Sequence, residues 1–226
     1  MQRSIAFLVM IFAALQCGAQ TASIQGPIYV ATYVEFVPAG TSEGTSLLKQ
    51  YRDASRKDAG NQRMELVQET GRQSRFVVLA TWADQNAFDA HAKAPHTAQF
   101  RDKLKAVNAA PYDERVHSGM AVGAKDALRP GSFVVVTHVD VPGAMKDATV
   151  PLLQQLADAS RKESGNQRFE VQQQGNRPNH FTVVELWADQ KAYEAHVGAA
   201  HTRQFRDKIG PMVGALYDER LYKAID

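Results

Sequence analysis

The chain has 226 residues, 44% of them hydrophobic and 22% charged, with 26 basic and 24 acidic side chains for a formal net charge of +2. This is the composition of a folded globular chain with a sizeable core. The charges of both signs are interleaved, which excludes the basic footprint of a nucleic-acid-binding protein.

Residues 1–22 read as an export signal. Arg3 supplies the positive start, and residues 5–15 form an apolar run too short to span a bilayer comfortably. Cys17, Gly18 and Ala19 are the small residues before a cleavage after Ala19, with a cut after Ala22 as the second option. Lipoprotein modification of Cys17 fits less well, because Gln16 stands where a small residue belongs, and an uncleaved anchor is the third alternative. Cleavage would leave a periplasmic or secreted chain with no stable membrane insertion. It would also remove the single cysteine, and with it any disulfide, thiol nucleophile or thiolate metal site.

The remainder is one unit written twice. Ser55-Arg56-Lys57, Gly60-Asn61-Gln62-Arg63, Trp82-Ala83-Asp84-Gln85, Gln99-Phe100-Arg101-Asp102-Lys103 and Tyr112-Asp113-Glu114-Arg115 all recur 105 positions later, with no gap. The repeats run over residues 28–120 and 132–226, joined by a linker at 121–131 in which Gly123, Pro130 and Gly131 are the breakers.

In the first repeat, residues 28–37 alternate and are β-branched or aromatic, which predicts a strand. Residues 41–59 carry Leu47, Leu48 and Tyr51 at helical spacing and stop before Gly60. Residues 61–70 and 75–82 predict a hairpin about the break at 71–74. The first of these strands is expected to place Asn61, Arg63 and Glu65 on one face. Asp84 reads as the N-cap of a short helix through His91. Pro95 opens another helix, with Phe100, Leu104 and Val107 on its stripe. Residues 112–120 form the last strand. The order β-α-β-β-α-β is the ferredoxin-like arrangement with its second helix broken. Its sheet has one bare face, and the other repeat supplies the sheet to cover it. The expected fold is therefore α+β: two ferredoxin-like repeats packed sheet to sheet as an intrachain barrel, the last strand of each extending the sheet of the other. Further oligomerisation is left open.

Trp82 or Glu185-Leu186-Trp187 is followed by Asp84-Gln85 or Asp189-Gln190. Phe88 and His91, or Tyr193 and His196, come next, then His96 and Phe100, or His201 and Phe205. This pattern resembles the antibiotic biosynthesis monooxygenase family of dimeric α+β barrels, here as a tandem fusion. The resemblance implies a cofactor-independent oxygenase that acts on a small phenol or quinol with O2, or a non-catalytic binding module for a small aromatic or tetrapyrrole ligand. The haem-degrading branch has an Asn on the first strand. Here that region reads Thr32-Tyr33 and Thr137-His138, which speaks against haem degradation.

On this reading the catalytic candidates are His91, His196, Trp82 and Trp187. The substrate-binding candidates are Phe88, Tyr193, His96, His201, Phe100, Phe205, Glu185, Tyr33 and His138. Each has a plainer alternative: the tryptophans as core, the histidines as helix-end structural groups. Repeat one has Ala80 where Glu185 stands in repeat two, so repeat two is the better candidate for activity. Arg63 and Glu65, with Arg168 and Glu170, read as an inter-sheet ion-pair network. Arg56-Lys57 and Arg161-Lys162 suit a helix C-terminus. The five-residue spacing of the histidines is wrong for two ligands on one helix face, so no metal site is expected. No nucleotide, flavin or nicotinamide motif occurs, and no cofactor is expected.

Overall fold

The computed structural model describes residues 24–123, 126–215 and 217–225; the proposed export signal lies outside them. The first repeat comprises β1 (Ile28–Glu35), α1 (Thr41–Ser55), β2 (Asn61–Glu69), β3 (Arg75–Trp82), α2 (Gln85–Ala92), α3 (Pro95–Leu104) and β4 (Asp113–Ala121). The second repeats the order as β5 (Phe133–Asp140), α4 (Lys146–Ser160), β6 (Asn166–Gln174), β7 (His180–Trp187), α5 (Gln190–Gly198), α6 (Ala200–Ile209) and β8 (Asp218–Ala224). The eight strands close into one barrel in the order β1-β3-β2-β8-β5-β7-β6-β4. As expected, β8 pairs with β2 and β4 with β6, so each repeat completes the other's sheet. Closure leaves no edge among the eight described strands free to pair with another chain.

Alternation along the strands sorts side chains between two environments. On β1 and β3, Val30, Val34, Val78 and Trp82 face outward and pack under the helices with Leu48, Phe88 and Phe100. Ala31, Val67, Val77 and Leu79 face inward, where they meet Val134, Val136, Val184, Leu186 and Tyr222 across the barrel. Burial of this shared interior is the main force holding the repeats together, and its large β-branched content suits strands buried on both faces.

The seam carries the expected charge network. Arg63 donates to both Glu170 oxygens at 3.0 and 2.8 Å, and Arg168 to both Glu65 oxygens at 3.1 and 2.6 Å. Leu128 N–H gives Glu65 a further bond at 2.9 Å. Burial alone would push the Glu65 carboxyl up, but Arg168, Arg63 and Leu128 together hold it below the usual range. Asn61 does not join this face. It pairs with Trp82 while Arg63 pairs with Thr81, so a bulge at Gln62 turns Asn61 to the helix side. Arg56 and Arg161 do more than complement a helix dipole. Their Nε atoms donate to the carbonyls of Met64 and Phe169, at 2.9 and 3.1 Å, tying each first helix to the following strand.

The first helix ends at Ser55, short of the expected 59, and the chain turns through Gly60 at φ +79°. A Cβ on Gly60 would lie 2.5 Å from the Ala87 Cβ, and Gly165 has the same relation to Ala192 at 2.6 Å. Both glycines thus admit a left-handed turn and let α2 or α5 sit directly on it. Gly60→Ala is expected to cost about 2–3 kcal/mol from backbone strain plus overpacking. Gly71, at φ +83° with nothing within 4 Å of its Cβ position, isolates the backbone part. Gly71→Ala should cost only about 1 kcal/mol, and thermal unfolding of the two variants separates the contributions.

Candidate active site

In repeat one, the Asp84 carboxylate accepts the Ala87 N–H at 2.8 Å and fixes the start of α2, which places His91 on the buried side of its last turn. Extended backbone at Ala94, followed by Pro95, ends α2 and redirects the chain into α3, which carries His96. Asp58 comes from the turn after α1. Its Oδ2 receives His91 Nδ1 at 2.7 Å and His96 Nε2 at 3.2 Å. On the far side of the His91 ring, the Tyr51 hydroxyl bonds Nε2 at 2.8 Å. Trp82 stacks on His91 with centroids 4.3 Å apart, and Tyr51 stacks on Phe100 at 4.0 Å and 7°. Phe88 completes the aromatic lining beside Trp82, at 6.5 Å.

Repeat two has the same frame with four changed side chains. Glu163 replaces Asp58, and its Oε1 receives His196 Nδ1 at 2.6 Å and His201 Nε2 at 2.9 Å. Trp187 lies 4.7 Å from His196. Leu156 stands where α1 has Tyr51, so this position supplies no phenol to His196 Nε2. Glu185 replaces Ala80; it accepts the Trp187 indole N–H at 2.9 Å, and its Oε2 stands 3.7 Å from His196 Nε2. Tyr193, at the position of Phe88, donates to Glu219, which also receives Arg206 at 2.9 Å. Phe205 is buried below His201 on α6.

Burial lowers both His91 and His196, while their carboxylate partners act in the opposite direction. Both rings are therefore neutral near pH 7. Since Nδ1 faces an anion, it carries the proton and leaves the lone pair on Nε2. Burial also raises Glu185 to about 8, which makes it a neutral acid near pH 7. In repeat one it raises the Tyr51 hydroxyl to about 12, so this phenol stays a donor to His91.

Two sequence expectations change here. The five-residue spacing reads as wrong for two ligands on one helix face, so no metal site is expected from it. Because the histidines of each repeat lie on two helices, they instead converge on one carboxylate. Tyr33 and His138 do not join the tryptophan clusters. Tyr33 is out of phase with Val34 on β1 and faces the barrel interior, as does His138 on β5. Their rings meet at 5.3 Å and line one cavity of about 280 Å³ with Arg115, Arg220 and Tyr222. Trp82 and Trp187 are 1% and 0% exposed, and among the described cavities none is lined by them or by His91 or His196. A smaller cavity of about 50 Å³ touches repeat two through Leu156, His201 and Phe205. Sequence reasoning missed Tyr51, Asp58 and Glu163. The signal was the carboxylate at both equivalent positions two residues before a recurring glycine.

The barrel interior also sets an acid limit on the fold. Burial pushes His117 down to about 4 and His138 to about 3, with the Arg115 charge adding to both. An unfolded histidine takes up its proton near pH 6.5. These two groups therefore stabilise the fold above that pH, and the contribution is lost as pH falls toward 4. At pH 5 the loss is roughly 2 kcal/mol for each. Urea unfolding at pH 7 and pH 5 should show a large drop for the parent chain and a clearly smaller one for His117→Gln/His138→Gln.

The family model described as antibiotic biosynthesis monooxygenase matches the chain twice, at residues 27–103 and 132–208. The chain belongs to the antibiotic biosynthesis monooxygenase family. A Bacillus subtilis (strain 168) protein called "Putative monooxygenase YcnE" is 29% identical over 86 residues, which is 38% of this chain and 90% of that protein. Solved structures cover both repeats at once. One from Fusobacterium nucleatum subsp. nucleatum (ATCC 25586), also called a "putative monooxygenase", superposes with a TM-score of 0.79 at 13% identity, covering 91% of this chain and 94% of its own. Another of that description, from Lactobacillus acidophilus NCFM, gives 0.73 at 15% identity, covering 88% and 94%. At these identities the likeness to the two structures is one of fold.

Proposed function

We propose that the protein is an exported, cofactor-independent monooxygenase of small phenols or quinols, and that repeat two is its working half. The observation that carries this is the contrast at Nε2. In repeat one the ring is already bonded by the protein's own phenol, Tyr51; in repeat two that position is vacated by Leu156 and lies beside Glu185. Tyr51 shows the geometry in which a phenol engages this imidazole. A substrate hydroxyl bound the same way at His196 would pass its proton to Nε2, while Glu163 steadies the resulting imidazolium.

The phenolate then gives one electron to O2, and the radical pair combines at a ring carbon. Loss of water from that hydroperoxide leaves one oxygen atom on the product and the other in water. For a hydroquinone the balance is quinol plus O2 giving hydroxyquinone plus water. The protein's share is deprotonation, orientation and exclusion of bulk water by the buried Trp187. The cavity of about 50 Å³ beside Leu156 and His201 is too small for an aromatic ring, so entry requires α4 and α6 to part. Export rests on the N-terminal pattern of Arg3 and residues 5–15.

The test is oxygen uptake by the mature protein over a panel of hydroquinones and polyphenols, with ¹⁸O₂ to follow the inserted atom. Uptake above autoxidation with one ¹⁸O in the product supports the reading. Tight binding of the same compounds, seen by tryptophan fluorescence without uptake, would favour the non-catalytic binding module.

A further inference from the structure

We infer that each repeat holds a divalent transition-metal site: Asp58, His91 and His96 in the first, Glu163, His196 and His201 in the second. Within each set the three donor atoms lie within 4.8 Å of one another. Two imidazoles and one carboxylate are the donor set of many three-ligand sites for zinc, cobalt or iron(II). Ligand atoms about 2.0–2.2 Å from one tetrahedral ion stand roughly 3.3–3.6 Å apart. The nitrogen–oxygen separations are 2.7 and 3.2 Å in repeat one and 2.6 and 2.9 Å in repeat two, so the side chains must part by about 1 Å or less to admit an ion.

Three observations favour a site over a hydrogen-bond cluster that merely closes the helix ends. First, the carboxylate differs in length between the repeats, yet its oxygen reaches the same two nitrogens. Second, the far nitrogen of the buried His91 is bonded by the Tyr51 hydroxyl at 2.8 Å, and Glu185 stands 3.7 Å from that of His196, beyond hydrogen-bond distance. Partners such as Tyr51 orient metal-bound imidazoles. Third, each set joins a buried inner histidine to an outer one that is 25% or 29% exposed at its side chain, beside a carboxylate that is 22% or 17% exposed. This leaves a path for the ion and a solvent-facing position for water.

Binding requires the inner histidine's proton to move from Nδ1 to Nε2 and the outer histidine's from Nε2 to Nδ1 in each repeat, and in repeat one it also turns the Tyr51 hydroxyl from donor to acceptor. In repeat two the inner histidine's proton would occupy the atom assigned above to accept one from substrate. A metal ion and a phenol would therefore compete for His196. Metal binding itself does not depend on the oxygenase reading, so the two can fail separately.

The experiment is titration of the tag-free, chelator-treated mature protein with cobalt(II), followed by d–d absorption in the visible and by equilibrium dialysis. Two ions per chain are expected. His96→Ala and His201→Ala should each reduce the count to one, and the double variant to none. Because these outer histidines are partly exposed, both variants should keep the parental circular dichroism. Asp58→Asn and Glu163→Gln, which preserve shape, provide the second pair and should each weaken one site at least tenfold. No cobalt binding, or a stoichiometry unchanged in the double variant, overturns the inference.

Discussion

Arg168→Met is expected to destabilise the protein by about 3–5 kcal/mol, because it takes the paired guanidinium from a buried Glu65 and leaves it only the Leu128 N–H and the more distant Arg63. The Arg168 side chain is 0% exposed and Glu65 5%. The guanidinium makes two bonds to that carboxylate and a third to the Asp126 carbonyl at 2.8 Å. Methionine fills much of the volume but offers no donor. For a chain of this size the loss corresponds to a fall in melting temperature of roughly 10 °C or more. Arg168→Lys should recover only part of it, since an ammonium does not reproduce the paired donors. Adding Glu65→Leu to Arg168→Met should restore most of the stability, because the penalty lies in the orphaned charge rather than in the loss of a pair. Arg203→Ala, at an exposed position on α6, serves as the control and should shift stability by less than about 0.5 kcal/mol. Equal losses for the single and double variants would show that the pair contributes net stability of its own.

This seam was largely legible in the sequence. Alternation on β2 and β6 put arginine and glutamate on one face, and the recurrence of the block in both repeats implied that the faces would meet. Asn61 was misplaced because a bulge changes which residues share a face, and nothing in Asn61-Gln62-Arg63 marks it. The tryptophan–histidine clusters were legible residue by residue, since Trp82, Phe88, His91, His96 and Phe100 lie close in sequence. Their carboxylate was not, because Asp58 and Glu163 arrive from the end of another helix, more than 30 positions away. The side of the sheet taken by Tyr33 and His138 was not legible for a related reason. Both faces of β1 and β5 are buried, so polarity does not reveal which one meets the helices and which the barrel interior.

The second large effect is expected at His196. If its Nε2 accepts the substrate proton, His196→Gln should lower kcat for quinol oxidation by roughly 10²–10⁴-fold, the range for loss of a positioned base. His91→Gln should change it little, because Tyr51 already bonds that nitrogen at 2.8 Å. The contrast between Tyr51 and Leu156 sharpens the test. Leu156→Tyr would put a phenol in repeat two where repeat one has its own, and should suppress turnover with His196 intact. Tyr51→Leu frees Nε2 in repeat one but leaves Ala80 where repeat two has Glu185, so Tyr51→Leu/Ala80→Glu is the variant that should add activity there. Measured as oxygen uptake, activity that falls in His196→Gln and Leu156→Tyr but persists in His91→Gln assigns the chemistry to repeat two. Equal losses at His91 and His196 would instead mean that the repeats work alike, and that Tyr51 rotates away from His91 when substrate binds.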